Sequence, residues 1–147
     1  MISIDLSQYH QYLKIKKEGA KQLLFDPVRR DYFIVQPEEL VRQSWIHYLN
    51  QEYGIQFKSL SVEKQITVGT LKKRFDLVYY QKGEAQVLFE FKSFNVNISS
   101  DTCFQIASYN TDLKVPFLVI SNGIEHFAYK IEFKESRVSV LNDLSFL

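Results

Sequence analysis

The clearest periodic signal along the chain is a helix. Pro37 followed by Glu38 and Glu39 suits a first helical turn, where a proline sacrifices no amide bond and acids meet unpaired N–H groups. Val41, Trp45, Tyr48, Leu49 and Glu52 then recur at three- and four-residue steps, and Gly54 offers a left-handed stop, so the pattern predicts a helix from Pro37 to about Tyr53. Beyond it the period changes to two. Leu60–Thr67 alternates weakly, and RFDLVYY (Arg74–Tyr80) and QVLFEFK (Gln86–Lys92) flank the polar turn Gln81–Ala85, predicting a hairpin. Upstream, Leu23–Phe25 and Tyr32–Val35 around Asp26-Pro27-Val28-Arg29-Arg30 predict a shorter hairpin, while residues 1–22 show no clear period. Downstream, Ser99–Asp101 supplies a cap for a second helix reaching about Asn110. Val115–Ser121 reads as a buried strand, Asn122-Gly123 as a turn, and Tyr129–Phe133 and Arg137–Leu141 as further strands. With no repeat or linker, this order predicts one α/β domain over residues 1–147, a sheet covered by helices. Residues 1–35 form an N-terminal extension and hairpin, and 36–141 the core.

Composition supports a packed domain. The 147 residues are 46% hydrophobic and 15% aromatic, with 5 Gly and 3 Pro, and a chain of that size buries roughly 68–70% of its unfolded surface. The single cysteine, Cys103, has no intramolecular partner and fits a reducing compartment. There is no signal-peptide pattern and no apolar run approaching about 18 residues, so the expectation is a soluble cytoplasmic protein without membrane contact. A net charge of +1 gives no strong overall field. Nucleic acid would have to be met by local clusters: Lys14, Lys16 and Lys17; Arg29 and Arg30; or Lys72, Lys73 and Arg74. Each of these also reads as ordinary solvated surface.

Chemistry concentrates on the second hairpin. Strand alternation puts Asp76, Val78 and Tyr80 on one face, and Phe75, Leu77 and Tyr79 on the other; Gln86, Leu88, Glu90 and Lys92 likewise share a face. If Tyr80 pairs with Gln86, Asp76 lies opposite Glu90. Like charges in that position need a compensating cation, and oxygen donors suit a hard divalent ion. With Lys92 on the same face, such a group can bind a phosphodiester, activate water and stabilise charge on phosphorus. The same spacing also fits acids that cap strand ends, with Lys92 in a surface ion pair. On the first helix Glu38 falls on the stripe of Val41 and Trp45, while Glu39 is rotated by about 100° and reads as a dipole acid. Gln105 and Tyr109 are four apart on the second helix, neighbours on one face, either at a site or in a partly buried polar contact.

The ordered set PEELVRQ (Pro37–Gln43), RFD (Arg74–Asp76), FEFKS (Phe89–Ser93), QIASY (Gln105–Tyr109) and SNG (Ser121–Gly123) resembles the PD-(D/E)XK nuclease superfamily. Within it, the chain is most similar to the N-terminal nuclease domain of type I restriction enzyme R subunits in a small stand-alone form. LFDPVRR (Leu24–Arg30) adds to the likeness, which covers residues 23 to 141. The resemblance implies a restriction-endonuclease-like core, a central mixed sheet flanked by helices, and Mg²⁺ or Mn²⁺ as cofactor. It implies Asp76 and Glu90 as metal ligands, Glu38 as the helix acid completing the shell, and Lys92 as the residue that orients water. Gln105 and Tyr109 would sit beside the site, organising nucleic acid or the lysine. Phe75 stands where the superfamily's name has proline. No G-x-x-x-x-G-K-[ST] loop is present, so a translocating motor would be a separate subunit.

The leading expectation is therefore a Mg²⁺-dependent endonuclease acting on DNA, working as a homodimer or with a separate targeting or motor subunit. Two others stand beside it: a non-cutting module of the same fold that binds nucleic acid or protein, and a structural subunit that dimerises through its aromatic C-terminal strands. His10, His47 and His126 are too scattered for a zinc site, and Cys103 reads as a small buried hydrophobe.

Overall fold

The computed structural model describes residues 1–147. A six-stranded sheet runs in chain order: β4 (Leu60–Val68), β5 (Leu71–Gln81), β6 (Glu84–Phe91), β7 (Phe117–Ser121), β8 (His126–Glu132) and β9 (Arg137–Leu141). Only β6 and β7 are parallel, and the segment joining them carries α2 (Ser100–Ser108). Parallel neighbours require such a crossover, whereas the antiparallel ones need only turns. The sheet is thus mixed, as expected. A second, three-stranded antiparallel sheet precedes it, made of β1 (Ile15–Glu18), β2 (Lys21–Asp26) and β3 (Asp31–Ile34). The hairpin β2–β3 matches the sequence pattern. Strand β1, exposed at all four residues, carries no apolar alternation and left no mark in it.

Helix α1 spans Pro37–Tyr53, with Gly54 closing it in a left-handed conformation (φ 64°). Its Trp45, Ile46 and Leu49 pack with Leu77, Val87, Phe89, Phe91, Val119 and Ala128 on one face of the large sheet. The opposite face holds Val78, Leu88, Leu118, Ile120 and Tyr129 against Cys103 and Ala107 of α2. Ser99 caps α2, its side chain accepting the Thr102 N–H. No helix is long and apolar enough to cross a membrane.

The β5–β6 hairpin differs in detail from its sequence reading. Its turn is the two residues Lys82-Gly83, both at positive φ (53° and 78°), the geometry that matches strand twist in tight hairpins. Tyr80 pairs with Ala85 rather than Gln86, and a bulge between Tyr79 and Tyr80 restores Tyr79↔Val87, Val78↔Leu88 and Leu77↔Phe89. The bulge leaves Gln86 unpaired and so cancels the one-residue shift at Tyr80, and the register at the far end is the expected one.

The N-terminus is tied down by His126, which is fully buried. Its Nε2 donates to the Ile4 carbonyl (3.1 Å), its Nδ1 accepts from Ser121 Oγ (2.8 Å), and its carbonyl accepts the Ile2 N–H (2.9 Å). Burial lowers its pKa, as it does for half-buried His47. Both groups bind protons more readily when unfolded, so their stabilisation is complete above the ordinary value of about 6.5 and fades as pH falls below it. The melting temperature is expected to drop between about pH 7 and pH 5, and His126→Gln should flatten that slope; an unchanged slope would mean that His126 is not held neutral.

Candidate active site

Asp76 and Glu90 occupy the positions just beyond the last paired residues, Leu77↔Phe89. There the β5–β6 ladder stops. The next N–H facing β5, on Phe91, is taken by the carboxylate of Asp76 (Oδ2, 2.7 Å) instead of a backbone carbonyl. On the other side of β5, the register skips the Glu63–Asp76 position between Val62↔Leu77 and Lys64↔Phe75, and Glu63 has φ 53°. With pairing interrupted on both sides, strict alternation fails. Phe75, expected opposite Val78, packs in the same cluster as Val78 against α2. Asp76, expected on the face of Val78, instead turns an oxygen toward Arg42 of α1.

Each acid meets its own cation. Arg42 Nη2 lies 3.7 Å from Asp76 Oδ1 and 3.9 Å from Glu63 Oε1. Lys73 Nζ lies 3.2 Å from Glu90 Oε1 and 2.8 Å from Oδ1 of fully buried Asn110, which itself donates to the Ile106 carbonyl. The Asp76 side chain keeps 34% exposure and that of Glu90 15%. Lys92 directly follows β6, is exposed, and forms no ion pair, while its backbone N–H is held by the Ser121 carbonyl (2.9 Å). Asp76 and Glu90 thus each stand one residue past the last pair, Leu77↔Phe89, with their carboxylates on different cations, and Lys92 lies two residues beyond Glu90.

The helix acids are reversed relative to the sequence reading. Glu38 is exposed, not on a buried stripe. Glu39 is buried (8%), paired with Arg29 and with Arg42, one turn along the helix. The physical reason is that α1 is covered on two sides. Val41, Trp45, Ile46 and Leu49 share the core over the sheet, Glu39 and Arg42 continue the row of Ile46 and Leu49 toward the helix start, and the β2–β3 turn brings Arg29 to that charged end. Gln105 and Tyr109 both lie on the open side of α2, Tyr109 at 81% exposure, one residue from the Asn110 that holds Lys73. They are not a buried polar contact.

Arg42, Lys73 and Asn110 are not among the site residues that the sequence predicts. The three-residue spacing of Glu39 and Arg42 was the one available hint of a pair. Lys73 and Asn110 meet across 37 positions and left no local trace. Two of the basic clusters resolve into structural pairs: Arg29 with Asp26 and Glu39, and Lys73 with Glu90. SNG is a braced turn. Ser121 Oγ accepts the Gly123 N–H (2.9 Å), and Asn122 Oδ1 accepts those of Ile124 and Glu125 (3.0 and 2.7 Å). Burial pushes the Cys103 thiol up to about 11, which suits an inert core residue. No group of three or more His, Cys, Asp or Glu residues is placed to hold a metal ion.

Removing Glu39 takes from buried Arg42 its nearest carboxylate and leaves Arg29 with Asp26 alone. Glu39→Ala is expected to cost about 3–5 kcal/mol in urea unfolding, whereas Glu38→Ala stays within about 0.5 kcal/mol. Equal effects would contradict the burial just described.

No curated relative matches the chain. The family model for the type I restriction enzyme R protein N terminus (HSDR_N) matches residues 37–144, from the first residue of α1 to beyond β9, and so takes in both site acids, Lys92 and α2. On that match the chain belongs to the family of type I restriction enzyme R protein N-terminal domains.

Proposed function

We propose that the protein is a metal-dependent nuclease that hydrolyses phosphodiester bonds in DNA, with Asp76, Glu90 and Lys92 as its reacting centre. The observation that carries this reading is the break in the β5–β6 ladder, which leaves a partly exposed carboxylate on each strand just past the last pair, with Lys92, free of any ion pair, two residues beyond Glu90. Two carboxylates fit Mg²⁺ or Mn²⁺, hard ions that are content with one or two such ligands and retain waters. A bound ion supplies Lewis-acid stabilisation of the charge that builds on the phosphoryl oxygens. The chain's own groups do the rest. Lys92 reaches from the end of β6 to orient the attacking water and share the developing negative charge. Asp76 is held in place by the Phe91 N–H, and Glu90 pairs with Lys73. Gln105 and Tyr109, on the open side of α2, contact the nucleic acid. Glu38, exposed at the start of α1, has no part in this mechanism.

A second reading has one observation in its favour. Arg42 and Lys73 already neutralise the two acids, which is what a non-cutting nucleic-acid-binding module of the same fold would show.

The readings part on two measurements. Wild-type protein should cleave single-stranded, duplex or branched DNA when Mg²⁺ or Mn²⁺ is added, and Asp76→Ala, Glu90→Ala and Lys92→Ala should each lower the rate by about 10²–10³-fold. Mn²⁺ at about a hundred times its Kd should add about 2.7 kcal/mol of stability, several degrees in melting temperature, and Asp76→Ala should erase the shift. DNA binding without metal-dependent cleavage on any of these substrates establishes the binding module.

A further inference from the structure

The inward acid of α1 has no oxygen to spare. Glu39 Oε1 takes Arg29 Nη2, with Gln43 Nε2 also at 3.3 Å, and Glu39 Oε2 takes Arg42 Nη1. From there Arg42 reaches Asp76 Oδ1 at 3.7 Å, while Asp76 Oδ2 is fixed by the Phe91 N–H at 2.7 Å. Behind Arg29 stands Asp26, fully buried in the β2–β3 turn. It holds Arg29 Nε at 2.5 Å and takes the N–H groups of Val28 and Arg29 at 2.7 and 3.1 Å. The charges alternate along one line: Asp26, Arg29, Glu39, Arg42, Asp76.

We propose that Arg29, Glu39 and Arg42 are positioning residues for Asp76, and that through them the N-terminal sheet sets the direction of the site carboxylate. This rests on the reading of Asp76 as a metal ligand. Glu39 serves the site by anchoring Arg42 and binds no metal itself. The line begins in a part of the chain that precedes residues 37–144, so the small sheet is a working part of the site. Its geometry requires arginine. Arg29 uses Nε for Asp26 and Nη2 for Glu39, two directions that one guanidinium fork offers at once. A lysine keeps the charge but presents a single point and cannot span both acids.

The test uses the full chain and Mn²⁺, titrated calorimetrically. Arg29→Lys and Glu39→Gln should each raise the Mn²⁺ Kd about tenfold, with far-UV circular dichroism unchanged. Arg30→Lys, at the exposed neighbouring position, should leave it as it is. If Arg29→Lys does not fold, Asp26→Asn loosens Arg29 from its other side and should give the same rise. A metal-free cycle of Arg29→Lys against Asp76→Asn in urea should be non-additive, because both ends act on Arg42. Wild-type binding of Mn²⁺ with an unchanged Kd in the variants overturns the positioning role and leaves the nuclease reading standing. No Mn²⁺ binding by the wild type overturns the nuclease reading, and the positioning role falls with it.

Discussion

A buried guanidinium between two carboxylates organises this molecule. Arg42 is nearly inaccessible, and so is Glu39 beside it. Taking such charges out of water costs several kcal/mol each unless the geometry returns it in paired hydrogen bonds. Arg42 can be buried only because Glu39 faces it, and Glu39 only because Arg29 supplies a second cation from the β2–β3 turn. Three parts of the fold are therefore locked to one set of ions: the small sheet, the N-terminal turn of α1, and the middle of β5, which bears Asp76. The larger of the two apolar clusters lies around Trp45, but it would tolerate small shifts of α1 along the sheet. The ion chain tolerates fewer, because hydrogen bonds to charged groups are short and directional.

The large sheet gives way where that chain reaches it. A regular antiparallel ladder would have engaged the Phe91 N–H with a β5 carbonyl and pointed Asp76 toward α2. Instead Glu63 adopts a left-handed backbone, a conformation that costs a non-glycine residue about 1–2 kcal/mol. Phe75 changes face, and Asp76 closes the gap with its own carboxylate. Left-handed non-glycine residues beyond turns are uncommon and collect at functional positions. Here the outlier sits directly beside the candidate acid, so the irregularity and the chemistry point to the same place.

Much of this was legible in the residues. The helix from Pro37 to Tyr53 appeared with its true limits because proline, an acidic first turn and Gly54 are local signals. The register of the β5–β6 hairpin as far as Leu77↔Phe89 also followed, although by a route that needed correction: the turn is shorter than expected, and a bulge makes up the difference. What stayed hidden was non-local. Periodicity assigned Glu38 to the buried stripe because it takes the sheet as the only neighbour of α1, and it could not show that residues 26–29 cover the other side. Asn110 and Lys73 meet only after α2 has crossed over the sheet. Strand β1 is exposed throughout and pairs by backbone alone, so no pattern of side chains announced it.

The cations around the acids have a consequence for how the site fills. A metal ion that binds Glu90 competes with Lys73, and one that binds Asp76 works against the field of Arg42. On the nuclease reading, metal affinity in the absence of substrate would be lowered by that competition. On the same reading, a DNA phosphate would change the balance, because it would give Lys73 another anionic partner in place of Glu90. Each ligand then removes part of what opposes the other, and by linkage the favour is mutual and equal in free energy. Arg42 differs from Lys73 in this respect. Glu39 holds it on the far side, so it stays where it is and continues to orient Asp76. Of the two cations, one is built to move and the other to remain, and the difference lies in the partner behind each: a neutral amide, Asn110, for Lys73 and a buried carboxylate for Arg42.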